Sequence, residues 1–477
     1  MSNTVVLAGV GSESKTAERE EEVMNVINVK QDPKNPNLHR FTLENTHVTY
    51  ANTLRRLIMT GVETVAFNAD MKNGTTSDVT ILKNDSPMTN EMLAHRIGLL
   101  PIMYDNPVHF DTDAFTFVLQ AKGKLDTSTD VTCANFTIMK AALGEGKEPT
   151  EVVTAKFFPP NPISKQYCLI ATLPAGTTEL HVLAKASRGA GRMNARYQPT
   201  SQCSYTYTLD DDRVRQEKYL DKWLRETKMY SYTEGDKESP KYKAYVREFQ
   251  TMEINRIYKQ LPNGEPYSFD FVIESVGTLE VPYIISRACE IGKSMMSRFL
   301  NIDTAGFNPK EHGMTIQPSV KNPFGIDFIM EHQDHTFGNM IQTYLAENHM
   351  ADTLQSGSGI QPIVYVGYEI PHQLRDEMVL RIGVDITSTN PEKDARLAFA
   401  QACKGCFQVF VQMEGAFASS ALKRELVGFE FTAPAASSSS AAKAPAATVA
   451  QSKYRLKGSV KAESKTESKT ESKSGKP

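Results

Sequence analysis

Residues 43–58 read LENTHVTYANTLRRLI, and residues 330–345 read MEHQDHTFGNMIQTYL. At a fixed offset of 287 residues, Glu44 falls on Glu331, Thr49 on Thr336, Tyr50 on Phe337 and Ala51 on Gly338; Asn52 falls on Asn339, Leu54 on Ile341 and Ile58 on Leu345. Both copies occupy the same context, a strand-like run leading into a helix. A chain that writes one small unit twice is most simply an intramolecular dimer of one small fold. That points to a scaffold before any catalytic motif is considered.

At 477 residues the chain is too long for one core and suggests two or three domains. Its net charge of −3 hides an asymmetry: residues 433–477 hold nine Lys/Arg against three Glu, leaving about −9 on the remainder. A body of that sign is poorly suited to gripping a long stretch of nucleic acid by itself, which takes many phosphate contacts. Six cysteines are scattered through the chain, residues 1–24 are polar, and no run is long enough to span a bilayer. The expectation is an intracellular protein with reduced thiols and no membrane partner.

Residues 1–24 read as disordered. From Val26 to Leu43 the pattern is that of a strand pair, with Pro33 and Pro36 marking the turn. Leu54, Leu57, Ile58 and Gly61 then recur at helical spacing near 50–61. Residues 25–65 and 267–300 are assigned to a first unit, interrupted by a mostly β insert over 66–266. Strand-like runs in the insert are Val79–Leu82, Phe115–Leu119, Phe136–Met139, Cys168–Leu173 and Glu179–Ala184; residues 209–260 read as a helical extension, with Tyr242, Tyr245, Phe249 and Met252 on one face. The strand at 269–274 resumes the first unit. Its closing helix, about 281–300, carries Ile284, Ala288, Ile291 and Met295 at steps of 4, 3 and 4.

Residues 301–322 read as a Gly/Pro-bearing linker able to reach roughly 70 Å if extended. The second unit, 323–424, begins with a strand at 324–331 and a helix presenting Phe337, Met340, Ile341, Tyr344 and Leu345. Strands follow near 363–370 and 378–386, the latter alternating Leu380, Ile382, Val384 and Ile386 with wetter positions. Asn390 can cap the last helix and Pro391 suits its first position. Phe399, Cys403, Cys406, Phe410, Met413 and Phe417 step by 4, 3, 4, 3 and 4, a seam that needs a partner helix. The 281–300 helix is the candidate. Residues 433–477 are Ala/Ser/Pro/Lys-rich and end in ESKTESKTESKS, where no core can form.

Several segments resemble a known family. ANTLRRLI (51–58), MLAHRIGLLPI (92–102), AKASRGAGRMNARYQPTS (184–201) and FVIESVGTL (271–279) are similar, in order and spacing, to the alpha-like third subunit of multisubunit RNA polymerases. EHQDHTFGNMIQTYL (331–345) and VGYEIPHQL (366–374) resemble the small eleventh subunit of RNA polymerase II. The chain thus looks like those two subunits fused, as in large nucleocytoplasmic DNA viruses. The likeness spans about 25–424. It implies an α+β architecture of two alpha-subunit-like dimerisation folds paired in one chain, the first interrupted by the insert.

The resemblance implies a non-catalytic assembly platform for DNA-directed transcription. Its partners would be the largest and second-largest polymerase subunits and small accessory subunits, with DNA reached only through the complex. Arg55 and Arg56 would dock the second-largest subunit, where a rigid guanidinium fork suits carboxylates or carbonyls. Asn52 is expected to fix the turn entering their helix. His95 and Arg96 belong to the same composite surface or to accessory contacts. No catalytic residue, cofactor or metal is expected: the family's magnesium-binding aspartates lie on another chain. The four clustered cysteines of the cellular third subunit are also missing, since Cys133, Cys168 and Cys203 are each 35 residues apart. Action in a host cytoplasm, with presence in the virion, is the expected location, and the nucleus is the alternative.

Other readings compete. Cys403 and Cys406 form a CxxC, but within a helical seam they suit small buried hydrophobes better than redox or zinc chemistry. Arg188, Arg192 and Arg196 sit among glycines, but no strand–loop–helix with Lys-Ser/Thr follows to make a phosphate loop. His335 and Asn339 suit capping and packing. An enzyme using Asp334, His335 or the cysteine pair lacks a triad, a metal set or a phosphate loop. A stand-alone nucleic-acid-binding homodimer is the remaining alternative, and the acidic body argues against it.

Overall fold

The computed structural model describes residues 23–420 apart from 73–74, 77, 142–148, 323 and 351–362. The expected disorder at 1–22 and the tail at 433–477 lie outside those residues. Met24, expected to be disordered, is instead buried in the core.

Two parts of the chain build the same strand–strand–helix–strand–strand–helix unit. The first comprises β1 (Asn25–Gln31), β2 (Leu38–Glu44), α1 (Val48–Thr60), β3 (Thr200–Tyr207), β4 (Ser268–Ser275) and α2 (Val281–Ser297). The second comprises β5 (Met314–Pro318), β6 (Gly325–Glu331), α3 (His335–Asn348), β7 (Ile363–Glu369), β8 (Glu377–Val384) and α4 (Pro391–Ser419). Both sheets are antiparallel with matching orders, β1-β2-β4-β3 and β5-β6-β8-β7. The architecture is α+β with two related units in one chain.

The repeat extends to backbone detail. Asn45 (φ 60°) and His332 (φ 61°) are both left-handed and lie 287 residues apart. This conformation reverses the chain at the end of a strand, and few non-glycine residues adopt it. Two residues on, His47 Nδ1 accepts from the Thr49 N–H and Asp334 Oδ1 accepts from the Thr336 N–H, so equivalent positions cap α1 and α3. In α4, Asn390 Oδ1 accepts from the Lys393 N–H, ahead of Pro391.

Several sequence expectations shift. Thr200–Tyr207 lies within the stretch assigned to the insert, yet pairs with Ser268–Ser275 as the edge strand of the first sheet. Met314–Pro318 falls in the expected linker but pairs with Gly325–Glu331 as a full strand, and Phe299 and Ile302 are buried beside it. The connection is therefore a packed segment and not a long tether. Ile386, expected on the buried face, is 71% exposed because β8 ends at Val384 and Asp385 opens an Asx turn. Met252 is 67% exposed: the helix widens to π geometry over Phe249–Glu253 and turns that position outward.

The insert has its own core. Strands Val79–Asn84, Phe115–Lys122, Phe136–Lys140, Thr150–Val152 and Glu179–Ala184 form one sheet, and Leu169–Leu173 pairs with Thr129–Thr132. Phe67, Phe117, Phe136, Phe157 and Phe158 interlock beneath it. The helical extension contains Arg213–Glu226 and Pro240–Glu248, joined through contacts among Trp223, Tyr230, Tyr245 and Phe249. A strand pair, Glu63–Ala66 with Ser187–Ala190, ties insert to first unit.

Candidate assembly interface

The four helices α1–α4 meet between the two sheets, and residues of both units belong to one continuous core. Helix α1 packs on α3 and α2 on α4 across the units. Along α1 and α3 the contacts are polar. Arg56 Nε donates to Thr336 Oγ1 at 2.7 Å, the Thr49 and Thr343 hydroxyls lie 3.1 Å apart, and Asn339 Nδ2 donates to Thr49 Oγ1 at 3.4 Å. Along α2 and α4 they are apolar with one ion pair. A Cβ on Gly292 would stand 2.5 Å from the Phe410 ring, so only glycine admits that ring. Lys293 Nζ lies 2.7 Å from Glu414, both largely buried. Phe417 meets Phe41 edge-on at 5.2 Å.

The seam residues of α4 are all buried, but they do not face one helix. Phe410 covers α2; Phe399 lies against Phe328, Phe337 and Phe299; the Cys406 thiol is 3.9 Å from the Met340 carbonyl of α3. Burial pushes both the Cys403 and Cys406 thiols upward, which suits small packed hydrophobes. On α2, Ile284 and Ala288 are buried as expected. Ile291 and Met295 are only partly buried; Ile291 turns toward Gly61 at the end of α1. The centre of the face is instead Cys289, Gly292 and Met296, one position along.

The residues expected to meet partners divide. Asn52 does not cap α1; its side chain accepts from Arg55 Nε at 3.0 Å. Arg55 also points a guanidinium nitrogen at Met59 Sδ. Arg56 is committed to the second unit through Thr336 and, at 3.8 Å, Asp334. His95 is exposed on the insert helix Asn90–Gly98. Arg96 on that helix donates twice to the Leu169 carbonyl, at 3.1 and 3.2 Å. Beside them Met92 is 60% and Leu99 72% exposed, an outward apolar edge that periodicity does not mark.

The arginines of the glycine-bearing loop hold groups of this chain. Arg188 donates to the Val108 carbonyl, and Arg196 pairs with Asp70 and donates to the Phe67 carbonyl. Arg192 reaches the second unit, 3.9 Å from Asp334 and 3.8 Å from Asp376. Asp334 caps α3, and His335 lies 3.3 Å from the Tyr368 hydroxyl. His47, Glu265 and Glu347 form one cluster of metal-ligand type. Because His47 Nδ1 accepts from the backbone, its Nε2 carries the ring proton toward Glu347 at 3.5 Å. No helix among the described residues is long and apolar enough to cross a membrane.

Two like units sharing one helical core define a class of paired dimerisation-domain proteins. Residues 40–296, more than half of the chain, match the RNA polymerase Rpb3/Rpb11 dimerisation domain, and residues 325–416 match a second version of it. The chain belongs to that family. It is 24% identical over 286 residues to the DNA-directed RNA polymerase subunit Rpo3 of Methanosphaera stadtmanae, covering 58% of this chain and 98% of that protein. It is 27% identical over 292 residues to Rpo3 of Thermococcus kodakarensis (56% and 94%). Against the DNA-directed RNA polymerase II subunit rpb3 of Dictyostelium discoideum it is 24% identical over 285 residues (54% and 88%).

Proposed function

We propose that this chain is a non-catalytic assembly subunit of a DNA-dependent RNA polymerase. Its two units act as an alpha-like heterodimer made within one polypeptide, equivalent to fused third and eleventh subunits. One observation carries the reading: the α1–α3 contact of Arg56 with Thr336 recurs, at the 287-residue offset that relates the two units, as the contact of Thr343 with Thr49. Covalent linkage enforces a one-to-one ratio, and the connection is itself packed into the fold, so the units stay paired on dilution.

The composite surface is offered to the largest and second-largest catalytic subunits and to small accessory subunits. The exposed edge at Met92, His95 and Leu99 supports a docking role for the insert helix. Arg55 and Arg56 contribute indirectly, by holding α1 in place. DNA is met only through the assembled enzyme. The fusion itself supports a source among large nucleocytoplasmic DNA viruses, with action in the host cytoplasm and presence in the virion. A free homodimer is disfavoured because the pairing face of each unit is already covered by the other.

The test is affinity purification of the tagged full chain from its native source, with mass spectrometry of what accompanies it. Two very large polymerase subunits are expected in stoichiometric amount. Leu99→Asp should lower their recovery several-fold while leaving the thermal midpoint unchanged. A chain that purifies alone as a monodisperse homodimer with tight DNA affinity would overturn the reading.

A further inference from the structure

Cys133 and Cys168 are distant in sequence, and the fold sets them face to face. Thr129–Thr132 runs antiparallel to Leu169–Leu173 with Thr132 opposite Leu169. One step further, the Cys133 N–H donates to the Cys168 carbonyl at 3.0 Å. Both lie one residue past the strand ends, where Cys133 opens a short 3-10 turn, and residues opposed across such a pair stand about 4.5–5.5 Å apart at Cα. That separation lies within the roughly 4.4–6.8 Å a disulfide spans. Their exposures differ: Cys133 is 2% exposed, whereas Cys168 is the one exposed thiol among six.

We propose that Cys133 and Cys168 form a reversible thiol–disulfide modification site, oxidised by a small disulfide of the glutathione type. The Cys168 thiolate attacks one sulfur of glutathione disulfide. The S–S bond breaks, one glutathione leaves and takes up a proton, and a mixed disulfide remains on Cys168. Cys133 then releases its proton to solvent and attacks the Cys168 sulfur, expelling the second glutathione. Two protein thiols are oxidised and one glutathione disulfide is reduced to two thiols. Burial, with the neighbouring Cys168 sulfur adding to it, pushes the Cys133 thiol up to about 11, so closure accelerates with rising pH.

The position gives the bond a consequence. Cys168 precedes Leu169, whose carbonyl is held by Arg96 of the insert helix. Closure would fix the segment against which that helix rests.

The experiment incubates the full chain with glutathione disulfide, quenches by alkylation, and reads intact mass and linked peptides. The wild type should lose two hydrogens, yield a Cys133–Cys168 linked peptide, and recover on addition of reduced glutathione. Cys133→Ser should stop at one glutathione on Cys168, and Cys168→Ser should remain unmodified over the same time. Cys133→Ala serves as a second variant, and both are checked for an unchanged thermal midpoint. A wild type that accumulates the Cys168 adduct without closing, even at alkaline pH, overturns the proposal. So does linkage of Cys168 to any other cysteine.

Discussion

Arg56 Nε donates to Thr336 Oγ1 at 2.7 Å, and adding 287 to one number and subtracting it from the other turns this pair into Thr343 and Thr49, whose hydroxyls lie 3.1 Å apart. The two contacts exchange places under the symmetry of the internal repeat, as the contacts of a two-fold dimer interface must. A double-mutant cycle with Arg56→Met and Thr336→Val should therefore show a coupling of about 1 kcal/mol in urea unfolding. A coupling near zero would mean that this polar track does not join the units.

Gly292 is irreplaceable for steric reasons, not conformational ones. Alanine would favour the helix by about 1 kcal/mol. Its Cβ would meet the Phe410 ring at 2.5 Å, and that ring is only 1% exposed and cannot retreat. Overpacking should win, with Gly292→Ala lowering stability by about 1–3 kcal/mol in denaturant titration. Adding Phe410→Leu should recover part of the loss.

The ion pair of Lys293 and Glu414 crosses the units where little water reaches. Lys293→Met leaves the Glu414 carboxylate without its counter-charge and should cost about 1–3 kcal/mol, read as a lower thermal or urea midpoint. The swap Lys293→Glu with Glu414→Lys should be more stable than either single change.

Acid should loosen the hold of α2 on the strand that leads from the first unit into the insert. Arg287 grips Glu63 with two hydrogen bonds, at 2.9 and 3.0 Å. Burial alone would raise the Glu63 carboxyl, but the bonds and charge of Arg287 outweigh it and hold the group below its ordinary 4.5. A depressed folded-state value means the stabilisation is fully present above 4.5 and is lost as pH falls through that lower value. Stability measured from neutral pH downward should fall in this window for the wild type. Glu63→Gln should be less stable at neutral pH and flatter below 4.5.

Much of the architecture was legible from local pattern. The repeated strand–turn–helix, the capped start of α4 and five of the insert strands carry short-range signals of periodicity, turn residues and caps, whereas the short strands Thr129–Thr132 and Thr150–Val152 do not. The strand after the 184–201 segment was legible, but its place at the edge of the first sheet was hidden because its partner, Ser268–Ser275, lies beyond the whole helical extension. Met314–Pro318 was hidden by neighbouring glycines and prolines that read as linker. The second half of the α2 face was misplaced by one position because a glycine, which scores as nothing in a hydrophobic stripe, receives the Phe410 ring. Arg192 stood out only as part of a glycine-flanked basic loop, and Lys293 and Glu414 not at all, since an ion pair between distant residues has no spacing rule.

The sequence by itself determined that one fold is written twice, that an insert divides the first copy, and which helices are amphipathic, because these follow from interactions within a few residues of chain. Only the tertiary structure decided which residues close the interface. It turned Arg56 from a free docking group into a tie between units and placed Cys133 opposite Cys168. Those pairings depend on strand register and helix packing, which are settled by burying one shared core and cannot be read from either partner alone.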